Sequence, residues 1–108
     1  GTFNLLIAYD GIEEMLRAIQ AVVEESKKDA SLIVTRQTIK ERLLTKDLPP
    51  VDLVIRTGGE PHLSAGFMMW DIADAQMVFS EKLWPDFTPD DLEQAVKDFQ
   101  GRERRFGA

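Results

Sequence analysis

The sequence predicts an α/β protein, part of a doubly wound, mainly parallel sheet with flanking helices. Three observations predict it. Two short apolar runs, at residues 3–9 and 51–56, are nearly continuous, as strands buried on both faces must be. After the first of them, apolar residues recur at spacings of three and four, the pattern of one face of a helix. A glycine pair follows the second run, at the place where open α/β sheets receive their ligands.

Phe3-Asn4-Leu5-Leu6-Ile7-Ala8-Tyr9 is read as the first strand. Asp10 then precedes Ile12, Met15, Leu16, Ile19, Val22 and Val23, the apolar face of a first helix, and Asp10 with Glu13 resembles a capping box. That helix ends near Lys27-Lys28, whose charge suits the negative end of its dipole. Ser31 to Val34 has no single reading. Thr35 caps a second helix carrying Ile39, Leu43 and Leu44, which Lys46 to Pro50 terminates because consecutive prolines cannot continue it.

Val51 to Arg56 is the second strand, and Thr57-Gly58-Gly59-Glu60-Pro61-His62-Leu63-Ser64 the loop after it. Phe67 through Ala73 reads as a short helix, Ala75 to Phe79 as a third strand, and Trp84-Pro85-Asp86-Phe87 as a turn. Thr88-Pro89 starts the last helix with an N-cap hydroxyl and a first-turn proline, with Asp90, Asp91 and Glu93 complementing its dipole. Leu92, Ala95, Val96 and Phe99 are its expected buried stripe, and Arg102-Glu103-Arg104-Arg105-Phe106-Gly107 its basic end. There is no internal repeat and no low-complexity segment.

A length of 108 residues allows one small domain, residues 1–108. With 44% hydrophobic and 30% charged residues the chain has material for one core and too much of it for a disordered tail. A net charge of −6 argues against a general nucleic-acid binder, which needs clustered Lys and Arg, so an anionic ligand must be met locally. Zero cysteines exclude a disulfide scaffold, a thiolate metal site and a cysteine nucleophile, and a cytoplasmic location is the default expectation. The apolar runs fall far short of the roughly 20 residues that cross a bilayer. An opening of Gly1-Thr2 without methionine, and three strands that make only part of a doubly wound sheet, lead to the expectation of further chain upstream.

The chemistry is concentrated where the second strand ends. Arg56 offers a planar fork of donors, Gly58 and Gly59 their amides, Ser64 a hydroxyl and His62 a further donor, a set that suits a phosphate or diphosphate. The plainer alternative pairs Arg56 with Glu60 or Asp52 and leaves the glycines as a tight turn.

The continuous wording from Asp52-Leu53-Val54-Ile55-Arg56-Thr57-Gly58-Gly59-Glu60 is more specific. Leu63-Ser64, Phe67, Trp70, Leu83-Trp84-Pro85-Asp86-Phe87 and the Arg102 to Gly107 run continue it. These residues resemble the C-terminal half of the cis-prenyltransferases, the undecaprenyl diphosphate synthase family. The resemblance implies a dimeric, magnesium-dependent transferase that adds isopentenyl diphosphate to an allylic diphosphate. It implies that Arg56 and Ser64 grip the diphosphate of isopentenyl diphosphate and that Arg105 and Gly107, within the family's Arg-X-Gly tail, reach the same group across a dimer. Helix-dipole compensation is the structural alternative for that tail.

The departures from the family pattern are equally informative. His62 stands where the family has a second arginine, a weaker and pH-dependent anion partner whose ordinary pKa is about 6.5. Ala65 to Met69 contains one residue more than the usual spacing to Trp70. Aligning on Trp70 puts Gln76 at the family's magnesium-binding glutamate, and a neutral amide is a poor ligand for a hard cation; Asp74 is the nearby carboxylate that would compensate. Asp71 and Asp74 read otherwise as a solvated helix face, and Met68, Met69 and Trp70 as core. The family's Asp-Gly-Asn-Gly-Arg motif has no counterpart, Asp10-Gly11 being only a passing likeness.

The expected function is therefore the isopentenyl diphosphate-binding side of a cis-prenyltransferase, a homodimer or a partner of a chain carrying the N-terminal half, and inactive alone. Greasy products imply peripheral contact with a membrane surface. The alternatives are a non-catalytic subunit of a heteromeric transferase, for which His62 and Gln76 speak, and a phosphate-binding domain unrelated to prenyl transfer.

Overall fold

Asp10, Thr35 and Thr88 each start a helix in the computed structural model, which describes residues 1–106, with side chains through Arg102. The Asp10 carboxylate accepts from the amides of Ile12 and Glu13 and opens α1, Gly11–Lys28. Thr35 and Thr38 form a reciprocal capping box on α2, Arg36–Lys40. The α3 helix, Pro89–Phe106, is capped by another such box: the Asp91 amide donates to the Thr88 hydroxyl and the Thr88 amide to the Asp91 carboxylate.

Two strands are present among the described residues, β1, Leu53–Arg56, and β2, Gln76–Phe79. They pair in parallel, with Leu53 opposite Gln76 and Arg56 opposite Phe79. Both lie where the sequence predicts strands, and parallel pairing of neighbours in the chain agrees with an α/β architecture.

The chain divides into two compact units, residues 1–49 with 64–71, and residues 50–63 with 72–108. In the first, Ala18, Val22, Leu43 and Met68 are buried together with polar Glu14, Thr38, Thr45 and Asp71. Arg42 pairs with Glu25 there and ties α1 to the turns after α2. In the second, Val54 of the sheet and Ala95 of α3 are buried.

Several elements depart from expectation. Residues 3–9 form no strand: Phe3, Leu5 and Ile7 are exposed and Ala8 sits at φ 52°. A strand needs a ladder partner for its amides and carbonyls, and no described strand pairs with this one. Of the expected apolar stripe of α1, Val22 is buried as predicted, but Ile12, Leu16, Ile19 and Val23 are half exposed, and the adjoining Gly11, Glu14 and Ala18 are buried. Leu92 and Val96 of α3 are likewise exposed, and only Ala95 of the expected stripe is fully buried.

The second helix is also shorter than predicted. Beyond Lys40 the chain runs as i→i−3 turns, with the amide of Leu43 on the Lys40 carbonyl and that of Lys46 on the Leu43 carbonyl, and Leu44 is exposed. Residues 67–73 form successive turns instead of a helix, because Ala65, Gly66 and Met68 all take left-handed φ, which a right-handed helix excludes. Trp84–Asp86 is a single 3-10 turn where the sequence predicts a change of direction.

Candidate functional site

β1 delivers Arg56, half-buried, to the C-terminal end of the sheet. Beyond it the backbone turns through Gly58 at φ 90° and Gly59 at φ 71°, values that L side chains rarely adopt. The Gly58 amide donates to the Lys82 carbonyl at 2.7 Å and the Gly59 amide to the Ser80 carbonyl at 3.0 Å, while the Ser80 amide donates to the Arg56 carbonyl at 2.7 Å. The loop is thus zipped to the chain that leaves β2. This corrects one expectation: the two glycine amides are spent on backbone partners, because the pairing of β1 with β2 continues past the strand ends. A Cβ on Gly58 would meet open space, so glycine is required there for its φ alone.

His62 is exposed and its Nδ1 lies 3.4 Å from a Glu60 carboxylate oxygen, an ion pair only when the imidazole is protonated. Such solvent-exposed pairs contribute little to stability. Ser64 belongs to the other unit, where its carbonyl accepts from the Phe67 amide at 3.0 Å and opens the 64–71 segment. Gly66 follows it at φ 60°. The side chain of Arg105 is not among those described, and Gly107 lies outside the described residues; the preceding Arg102 donates to the Met77 carbonyl of β2 at 3.3 Å.

The acidic residues sort differently from expectation. Asp71 is 3% exposed, not part of a solvated face. Lys40 Nζ lies 2.5 Å from one of its oxygens, and the Thr45 hydroxyl donates to the other at 2.5 Å. Desolvation is costly for a lone carboxylate and is offset here by a charge and a hydroxyl at contact distance. Asp74 is exposed, and Gln76 lies in β2 with a buried Oε1 that has no hydrogen-bond partner among the described residues. No three His, Asp or Glu side chains among the described residues converge to hold a metal ion.

One polar pair was missed by sequence reasoning. The Tyr9 hydroxyl donates to Glu14 Oε1 at 2.6 Å, and Glu14 is 5% exposed with its other oxygen buried and without a partner among the described residues. Burial, and then the bond to Glu14, push the Tyr9 phenol well above its ordinary pKa. Nothing local announces this pair, since Glu14 reads as an exposed first-turn acid. A cavity of about 380 Å³ opens beside it, lined by residues 4–10 with Arg17, Leu44 and Thr45 among others; among the described residues Arg56, His62 and Ser64 do not line it.

In the second unit Lys82 pairs with Asp91 at 2.9 Å. That bond, with the Thr88 amide, holds the Asp91 carboxyl down at about 2. No helix among the described residues is long and apolar enough to cross a membrane.

Comparison with known proteins gives these features a frame. A family model described as "Putative undecaprenyl diphosphate synthase" matches residues 1–107. Ditrans,polycis-undecaprenyl-diphosphate synthase of Haemophilus influenzae is 38% identical over 108 residues, covering 98% of this chain and 45% of that protein. An isoprenyl transferase of Helicobacter pylori is 42% identical over 104 residues, covering 95% of this chain and 44% of that protein. The crystal structure of a probable undecaprenyl diphosphate synthase from Campylobacter jejuni superposes with a TM-score of 0.74 at 31% identity, over 94% of this chain and 45% of that one. The chain thus spans about half the length of the curated relatives it matches. A match across nearly the whole chain, in sequence and in fold, places this protein in the undecaprenyl diphosphate synthase family of prenyltransferases.

Proposed function

We propose that this chain supplies the isopentenyl diphosphate-binding side of a cis-prenyltransferase that condenses isopentenyl diphosphate with an allylic diphosphate. One observation carries the reading: within a family match over residues 1–107, Arg56 ends β1 at the carboxyl edge of a parallel sheet, one residue ahead of a left-handed glycine pair. Open α/β sheets bind ligands at that edge. Arg56 contributes the bidentate charge for a diphosphate oxygen pair, Ser64 a hydroxyl, and Arg105 with Gly107 the tail contact across a dimer. The glycine pair shapes the loop by its φ, since its amides are already bonded.

In the reaction the allylic carbon–oxygen bond breaks, diphosphate leaves with the electron pair, and positive charge develops on the allylic carbon. The isopentenyl double bond attacks that carbon, and a proton is then lost to form the new double bond. This chain's residues hold the nucleophile by its diphosphate and so contribute orientation. The allylic site lies with residues outside those described here, and Asp74, near Gln76 in the sequence, is the carboxylate this chain offers a magnesium ion. The assembly works in the cytoplasm or against a membrane surface, as a homodimer or with a chain carrying the other half of the fold.

A native mass spectrum of the purified protein, with dissociation of each species, followed by elongation of an allylic diphosphate with labelled isopentenyl diphosphate by the assembly that includes the other half of the fold, tests this. Elongation that falls at least tenfold in Arg56→Ala, through a raised KM for isopentenyl diphosphate, is the expected result. Unchanged elongation in that variant overturns it.

Gln76 favours a second reading, a supporting subunit that does not hold metal and lends its tail to a catalytic partner, because a neutral amide replaces a carboxylate there. That reading predicts stimulation of a separate transferase that disappears in Arg105→Ala.

A further inference from the structure

The approach of Gly11 to the 64–66 backbone stands out among the packing contacts of the first unit. A Cβ built on Gly11 would lie 1.9 Å from the Gly66 carbonyl oxygen and 2.7 Å from its carbon, far inside van der Waals contact. The Gly11 amide donates to the Ala65 carbonyl at 2.8 Å. Gly11 has no positive φ, so glycine is present for closeness, not for conformation. The other side of the contact is crowded as well: a Cβ on Gly66 would lie 2.4 Å from the end of Met69 and 3.2 Å from Ile12 Cγ1.

We infer that Gly11 is a positioning residue for Ser64: the first residue of α1 seats the Ala65–Gly66 backbone, and thereby sets where the Ser64 hydroxyl stands. Two features make the seat rigid. Ala65 and Met68 are held at φ 49° and 44°, conformations that non-glycine residues keep only when their surroundings impose them. The far end of the same segment is pinned by Asp71 to Lys40 and Thr45, and its middle by the edge-on contact of Phe67 with Tyr9. With its far end and its middle fixed, the segment yields to a side chain at residue 11 only at its start, beside Ser64.

The inference rests on the reading that Ser64 contacts isopentenyl diphosphate, and its test separates the two. Calorimetric titration of isopentenyl diphosphate into the assembled protein is compared for the wild type, Gly11→Ala, Ser64→Ala and the double variant. A hydroxyl bonded to a charged phosphate is worth about tenfold in affinity, so each single variant binds about tenfold more weakly. The double variant binds no worse than the weaker single one, because Gly11 acts through Ser64. Gly101→Ala, on an open face of α3, leaves the affinity unchanged.

Wild-type affinity in Gly11→Ala, or losses that multiply in the double variant, overturns the positioning role. Wild-type affinity in Ser64→Ala overturns the functional reading and the inference with it. Should Gly11→Ala not fold, Gly66→Ala presses on the same contact from the side where Met69 can yield, and a weakened affinity that Ser64→Ala does not compound is again the expected result.

Discussion

The two loops that carry the candidate binding residues use glycine for opposite reasons. At Gly58 and Gly59 the space in front of the backbone is open and the φ values are left-handed. At Gly11 the conformation is ordinary and the space is gone. The 57–59 loop is set by backbone hydrogen bonds to residues 80–82. The 64–71 segment is set by crowding and by side chains it meets in its own unit. One is a matter of torsion and the other of volume, so they should fail differently.

The largest effect is expected at Asp71. Asp71→Asn leaves Lys40 with its charge in a mostly buried position and removes the anchor of the 64–71 segment; the expected loss is about 3 kcal/mol in urea denaturation. A loss below about 1 kcal/mol would show that side chains do not fix this segment. Gly11→Ala follows, with about 1–3 kcal/mol from overpacking against the Ala65–Gly66 backbone, read as a lowered melting temperature.

Gly58→Ala is milder. It meets no atom and carries only the left-handed penalty of about 1 kcal/mol, so the protein folds with its 57–59 loop strained. If Gly58→Ala proved worse than Gly11→Ala, the contrast between torsion and volume would be reversed. The smallest effect concerns pH. Asp91 has its folded pKa lowered to about 2 from an ordinary 3.8, so the stability it contributes is present above about 3.8 and lost as pH falls toward 2. Lys82→Ala should flatten that part of an acid-unfolding curve; an unchanged curve would assign the shift to Thr88 instead.

The parts of the fold legible in the sequence are those decided by neighbours in the chain. Asp10, Thr35 and Thr88 mark helix starts because a cap is a bond between residues two or three apart. The strands at 53–56 and 76–79 are legible because short apolar runs between turn residues have few other uses. The 3–9 run has the same wording and no strand, since β structure also needs a partner that the run itself cannot specify.

The apolar stripe of α1 is only a partial guide for a related reason: Val22 is buried as its spacing predicts, but the chain buries the neighbouring Gly11 and Glu14 and leaves Ile12, Leu16, Ile19 and Val23 half exposed. In the candidate site, Arg56, the glycine pair and Ser64 stand out through the family wording. The Asp71 to Lys40 pair, 31 residues apart, and the Tyr9 to Glu14 bond leave no local trace. The closeness of Gly11 to Gly66 is equally silent, because a glycine that opens a helix looks like any other.

Lys82 does two jobs in the second unit: its carbonyl accepts from the Gly58 amide, and its ammonium group donates to the Asp91 carboxylate at the start of α3. A single residue thereby couples the loop after β1 to the first turn of the last helix. In hydrogen-exchange terms, the Gly58 and Asp91 amides are expected to share their protection, since one residue bonds to both segments. The loop beside Arg56 thereby shares an anchor with a helix that begins some thirty residues further along the chain.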